Sequence, residues 1–384
     1  MKIERTAQIQ HVERLLRSFP VVAIVGARQV GKTTLASQVA EASRFKGVAH
    51  FDLESPVDLA RLADPMGTLE PLRGLVILDE VQRLPDVFPL LRVLADRPRT
   101  PARFLVLGSA GPDLLRQSSE SLAGRIAYHE LHGLDLGEVG AKNLSRLWIR
   151  GAFPRSYLAR SHGDSMQWRE AFVRTFLERD LPQLGIRTPA QTLRRFWTML
   201  AHYHGQQWNA SELGRSLGAD YKTAQHYLDV LTSTFVVRTL QPYFTSVKKR
   251  QVKSPKIYIS DSGLLHALLG LPDRQQLEGH PKVGASWEGF IIEQLCTHLR
   301  VRTEDAYFWG THAGPEIDLV LSLGGRLHGF EIKRTVAPRV TESMLNAKAA
   351  LLLDTLTIVH GGRDSFTVGK QVRAVAAERI LEDL

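Results

Sequence analysis

Cysteine is almost missing from this chain of 384 residues: Cys296 is the only one, so no internal disulfide can form and a disulfide-stapled secreted scaffold is excluded. A reducing compartment, the cytoplasm, is expected, with that thiol buried and inert. Long apolar runs are lacking as well. The first, residues 21–25, is much too short to span a bilayer and passes straight into a glycine-rich loop. The opening Met1-Lys2-Ile3-Glu4-Arg5 lacks a signal-peptide pattern. No internal repeat or low-complexity tract interrupts the sequence. Acidic residues are in deficit: 49 Lys and Arg against 40 Asp and Glu leave a formal charge of +9. That excess points to a polyanionic partner, nucleic acid ahead of membrane, and says nothing about fold. The length allows roughly two to four domains.

What is present begins with "VVAIVGARQVGKTTL", a β-branched strand, then Gly26-x-x-x-x-Gly31-Lys32-Thr33, then an apolar-periodic helix through Leu35 and Val39. This is a Walker A loop in its strand–loop–helix setting. Backbone N–H groups of such a loop, with Gly26, Gly31 and Thr34 in its frame, hold phosphate at the positive end of the helix. Lys32 reaches the β and γ oxygens and the Thr33 hydroxyl binds Mg²⁺. The second motif, "GLVILDEVQRL", is a strand apolar on both faces that closes on Asp79-Glu80. Asp79 is placed to hold Mg²⁺ and its water, and Glu80 to polarise the water that attacks the γ-phosphate, which favours hydrolysis of ATP over mere binding. A third strand, "RFLVLGSA", ends at Ser109, which is either a hydroxyl for the γ-phosphate or attacking water, or a plain strand-end turn residue.

The stretches "GARQVGKTT", "LDEVQRLP", "LGSAGPDLL" and "SLAGR" resemble the bacterial and archaeal AAA-type ATPases whose C-terminal half is a separate domain long labelled as of unknown function. "GAFPRSYL", "FLERDLPQLG" and "SPKIYISDSGLLHALLG" extend the resemblance over nearly the whole chain. It implies nucleotide hydrolysis, a homo-oligomer with sites formed between protomers, and an arginine that reaches a neighbour's γ-phosphate. Arg125 of "SLAGR" is the candidate for that arginine, with Arg155 as a second.

In the middle of the chain, "NASELGRSLGADYKTAQHYLDVL" reads as two short helices about a turn at Gly218-Ala219-Asp220, capped at Asn209 or Ser211 and burying Leu213, Leu217, Ala224, Leu228 and Leu231. A strand from Phe235 to Leu240 follows, and "KIYIS" is expected to return beside it, which makes a helix-turn-helix with a wing. Should the second helix enter a major groove, Tyr221, Lys222, Thr223, Gln225 and His226 face the duplex. Lys248, Lys249 and Arg250, with Lys253 and Lys256 close behind, then contact phosphates and make binding salt-dependent. A protein-docking wing is the rival reading. His202 and His204, spaced by two on a helix, point apart and form no metal pair.

Near the C-terminus, "GPEIDLVLSLGGRLHGFEIKRT" reads as a hairpin about Gly324-Gly325. Counting outward pairs Leu323 with Arg326, Asp318 with Glu331 and Glu316 with Lys333, with all four of the last on one face and Ile317 and Ile332 on the other. Opposed carboxylates repel unless a proton or cation lies between them. A hard divalent ion answers that; so do acids splayed into water beside a Glu316–Lys333 salt bridge. A helix, "ASWEGFIIEQLCTHL", precedes, "AYFWGT" supplies a strand before the hairpin, and a helix and a strand follow. This order resembles the restriction-endonuclease-like PD-(D/E)XK fold, and archaeal Holliday-junction resolvases in particular. The resemblance implies Asp318 and Glu331 as ligands of Mg²⁺ or Mn²⁺, Glu288 as a third acid with Glu293 as its alternative, and Lys333 orienting the attacking water. Glu316 departs from the resolvase pattern.

The expected fold is α/β: a P-loop AAA-type parallel-sheet core over 1–145, a helical lid over 146–188, a winged-helix domain over 189–273 and a restriction-endonuclease-like domain over 274–384. The expected function is ATP-dependent processing of duplex or branched DNA. A branch-migration motor with a non-cutting C-terminal domain and a nucleotide-switched regulator or protein-docking ATPase are the alternatives.

Overall fold

The run "VVAIV" offers no polar face, and β1 (Val21–Gly26) is buried along its whole length, as a strand covered on both sides must be. With β2 (Val48–Asp52), β3 (Leu75–Asp79), β4 (Arg103–Ser109) and β5 (Ile126–Glu130) it forms a parallel sheet in the order β2-β3-β4-β1-β5. Helix α1 (Lys32–Ala42) starts at Gly31, whose φ of 105° puts it in the left-handed region that glycine reaches without strain. Because β4 lies between β1 and β3, the carboxyl ends of all three meet at one edge, where parallel sheets place their ligands. Phe51, Leu78, Phe88, Leu91 and Phe104 fill a core on one side of this sheet.

The computed structural model describes residues 3–43, 45–98, 102–109, 120–244, 252–311, 314–369 and 371–384. They fall into two units, Met1–Gly133 with Ser233–Phe235, and Leu134–Thr232 with Val236–Leu384. Among the described residues no helix is long and apolar enough to cross a membrane.

The second unit begins with helices that include α2 (His162–Thr175) and α3 (Ala190–His202). Then come β6 (Gln206–Gln207), α4 (Ala210–Leu217) and α5 (Tyr221–Ser233). The Asn209 side chain caps α4 by accepting from Glu212 N–H at 3.1 Å, Gly218 ends it at φ 73°, and Asp220 accepts from Thr223 N–H at 2.7 Å to start α5. Leu213, Ala224, Leu228 and Leu231 are buried as the spacing predicts, whereas Leu217 is half-buried. Strands β7 (Val237–Pro242) and β8 (Lys256–Ile259) pair antiparallel, and β6 pairs with the other edge of β8.

After α6 (Ser262–Leu268) and α7 (Val283–His298) the chain forms β9 (Ala306–Gly310), β10 (Glu316–Leu323), β11 (Arg326–Lys333), α8 (Glu342–Leu351), β12 (Thr355–His360), β13 (Phe366–Gly369) and β14 (Val372–Ala376). Gly324 and Gly325 both have positive φ, 57° and 77°, and set Leu323 opposite Arg326. β9 also pairs in parallel with β7, so one sheet runs β13-β14-β12-β11-β10-β9-β7-β8-β6. The boundary drawn at 273/274 from the sequence therefore separates strands that share a sheet. Composition gave no warning, since pairing of β7 with β9 is non-local.

Candidate functional site

In the first unit the glycine-rich loop leaves β1 at Gly26, where an added Cβ would overlap the Leu131 carbonyl oxygen. The loop turns through Gln29, at φ 61°, and Gly31. Lys32 is buried, and its Nζ donates to the carbonyls of Gly26 and Ala27, each at 3.0 Å. Burial lowers its pKa to about 8, against the opposing pull of Glu80 and Asp79. Thr33 Oγ1 donates to Asp79 Oδ2 at 2.6 Å, so the two side chains expected to hold Mg²⁺ already converge. Burial raises the Asp79 pKa and the Thr33 hydrogen bond opposes it. Two hard oxygen donors side by side suit Mg²⁺, whose remaining ligands come from phosphate and water.

Glu80 follows at φ 54°, a left-handed conformation that turns its carboxylate away from the strand direction, and its N–H donates to Asp79 Oδ1 at 2.9 Å. Gln82 donates its side-chain amide to the Glu80 carboxylate. Ser109 closes β4 in register with Gly26, between the two motif strands. Thr34 is exposed on the first turn of α1. Arg125 makes a bidentate pair with Asp96, both contacts at 2.7 Å, on an exposed surface.

In the second unit, Tyr221, Lys222 and His226 are exposed along α5 and Thr223 is half-buried beside them. Gln225 is turned the other way: it accepts from Trp208 Nε1 at 2.7 Å and donates to Asp229 at 2.8 Å, so its amide is committed within the protein. Lys248, Lys249 and Arg250 lie outside the described residues.

The hairpin carboxylates are not splayed into water. Asp318 and Glu331 are 6% and 7% exposed, which overturns that expectation. A bulge in the β9–β10 pairing between Ile317 and Val320 breaks the alternation there, and Asp318 Oδ2 accepts from the Ile332 N–H at 2.8 Å. Lys333 Nζ pairs with Glu331 Oε1 at 2.7 Å, and Glu331 Oε2 has no hydrogen-bond partner although it is buried. Glu316 does not meet Lys333; it pairs with Lys256. Glu288 joins the cluster from α7, whereas Glu293 is held by Arg238 at 2.7 Å.

Two members were missed. Lys256, assigned from the sequence to the basic wing, is buried with its Nζ 3.4 Å from Glu288 Oε1 and 3.9 Å from Asp318 Oδ1, and Tyr258 donates to Glu288 Oε1 at 2.5 Å. The available signal was the period of two in "KIYI", which sets Lys256 and Tyr258 on one face of β8. Burial works against the Lys256 ammonium, but Glu288, Asp318 and Glu316 outweigh it and hold the pKa above the ordinary lysine value. Burial, then Glu288 and Glu331, raise that of Asp318 well above the carboxylate range. The residues do not fit a divalent ion as arranged: an ammonium stands among the acids, and among the described residues no group of three or more His, Cys, Asp or Glu could hold a metal.

A family model described as "AAA domain" matches residues 18–140, and two described as domains of unknown function, DUF8612 and DUF4143, match 141–275 and 283–380. The proteins named "Uncharacterized protein Rv2008c" of Mycobacterium tuberculosis and "Uncharacterized protein Mb2031c" of Mycobacterium bovis are each 52% identical over 381 residues, 99% of this chain and 85% of theirs. Among solved structures, the Walker-type ATPase PABY2304 of Pyrococcus abyssi is similar over 70% of this chain and 96% of its own, with a TM-score of 0.50 at 14% identity, a likeness of fold.

Proposed function

The chain belongs to the family of AAA-domain proteins that includes Rv2008c of Mycobacterium tuberculosis and Mb2031c of Mycobacterium bovis, and from that premise we propose that it hydrolyses ATP in its first unit and engages DNA through its second. The observation that carries the ATPase reading is the convergence of Lys32, Thr33 and Asp79 at the carboxyl edge of a parallel sheet. Loop N–H groups and Lys32 would bind the β- and γ-phosphates. Thr33 and Asp79 would hold Mg²⁺, which supplies positive charge against the phosphates when bound. Glu80 would take the proton of the attacking water, with Gln82 fixing its carboxylate, and Ser109 closes β4, the strand beside β3. Arg125 would have to leave Asp96 to reach a neighbouring subunit of a homo-oligomer, so its present geometry favours an intramolecular tie.

We read β6, α4, α5, β7 and β8, within residues 189–273, as a winged helix, and residues 274–384 as restriction-endonuclease-like. The strand order β12-β11-β10-β9 with α7 before it and α8 within supports the latter. The formal charge of +9 and the exposed Tyr221, Lys222 and His226 support DNA as the partner. Cutting forms no part of this reading, because the C-terminal acids do not fit a metal as they stand.

Glu80→Gln should leave ATP binding unchanged and lower turnover by about two orders of magnitude or more. Duplex or branched DNA should stimulate hydrolysis by the wild-type chain, with an effect that fades as salt is raised. Full turnover in Glu80→Gln would remove Glu80 as the base, and hydrolysis indifferent to every DNA would leave an ATPase with another partner.

A further inference from the structure

Carboxylates that meet in a protein interior need positive charge, and in the second unit a side chain brings it. Lys256 comes from β8, Glu288 from α7, and Glu316 and Asp318 from β10. Its Nζ bonds to the Glu316 carboxylate, lies 3.4 Å from Glu288 Oε1 and 3.9 Å from Asp318 Oδ1, and stands 5.4 Å from the centre of the Phe308 ring, the negative face of which also favours a cation. These are ammonium distances. A divalent ion would draw the oxygens to roughly 2.0–2.6 Å and could not share the place with an ammonium. The Tyr258 hydroxyl donates to Glu288 Oε1, the same oxygen that faces Lys256, and so holds that carboxylate toward the ammonium.

We propose that Lys256 is the resident cation of this cluster, occupying between Glu288, Glu316 and Asp318 the place a divalent ion would need, so that the site takes Mg²⁺ or Mn²⁺ only when the ammonium is removed. The inference holds whether or not the chain acts on DNA. Glu331 Oε2, buried and without a hydrogen-bond partner, is the carboxylate oxygen that this arrangement leaves over. Lys256 and Glu316 also line a cavity of about 790 Å³ with Tyr203, Trp208 and Asn209, which gives a hydrated ion or a small reagent a way in.

The test is Mn²⁺ binding to the full chain without nucleotide, followed by the paramagnetic resonance of free Mn²⁺. Lys256→Met keeps the volume and removes the charge. It should bind one Mn²⁺ at least about ten-fold more tightly than the wild type, a change of about 1.4 kcal/mol, and Asp318→Asn in the same chain should abolish the gain. Equal affinities in wild type and Lys256→Met would overturn the proposal, as would a folded variant that binds no Mn²⁺. The wild type gives an independent reading should the variant not fold. Under limiting amine acylation, read by peptide mass, Lys256 should stay unmodified while the half-exposed Lys333 reacts, and sub-millimolar Mn²⁺ should not change this. Mn²⁺-dependent modification of Lys256 would mean that the metal displaces it readily, and the proposal would fail.

Discussion

Lys32 shows what burial does to a single charge. Burial, the largest cause, lowers its pKa from 10.5 to about 8. The folded state therefore holds fewer protons than the unfolded chain between those values, and stability contributed by this group rises with pH across that window. Phosphate reverses the balance, because an anion against Nζ favours the charged form. Nucleotide binding at pH 8 should thus take up about half a proton, and affinity should fall as pH rises above 8. Calorimetry in two buffers of different ionisation enthalpy measures the uptake, and Lys32→Met should lose it; uptake unchanged in that variant would assign the proton to another group. The Walker A residues were legible because their chemistry is local, one glycine-rich loop that runs from the end of β1 into Gly31, Lys32 and Thr33. Lys256 was not, because a lysine two residues from a tyrosine looks basic and exposed until long-range pairing through β7 and β9 brings its ammonium to Glu288, Glu316 and Asp318.

At the scale of elements, two of the segments that extend the family resemblance meet in a joint. Asp261 caps α6 by accepting from Leu264 N–H at 2.7 Å with one oxygen and takes the Ala152 N–H at 2.6 Å with the other, joining "GAFPRSYL" to "SPKIYISDSGLL". Arg169 of α2, fully buried, donates to the Gly263 carbonyl at 2.8 Å. A Cβ on Gly263 would overlap the Arg150 carbonyl, so α6 can only approach this closely with glycine there. Asp261→Ala leaves one buried and one half-buried N–H without acceptors and should cost about 2–4 kcal/mol, more than Asp261→Asn, which keeps one acceptor. Urea unfolding followed by tryptophan fluorescence checks the order; equal costs would show that packing, not the paired caps, holds the joint. The helices and the Gly-Gly hairpin could be read from period and turn chemistry. The bulge beside Asp318 could not, since it depends on the partner strand.

At the scale of the whole molecule, the sequence supports the α/β class and the motifs but not the β7–β9 seam inside the second unit, since a strand records its own period and not its neighbours. β9 has β10 on one side and β7 on the other. A fragment of residues 275–384 would lose β7 and expose β9 as an open edge, and it would carry the acids without Lys256. It should aggregate on size-exclusion chromatography, while a fragment of residues 134–384 should run as a folded species; a monomeric, folded short fragment would contradict this.

The same seam bears on inheritance. A crossover between related genes at the codons for β9 would splice one parent's β8 and α7 to another's Glu316 and Asp318, leaving the match of ammonium and acids to chance. Recombination that preserves both must carry residues from β6 to the C-terminus as a single linkage block, and Lys256 should vary among relatives only in step with Glu288, Glu316 and Asp318.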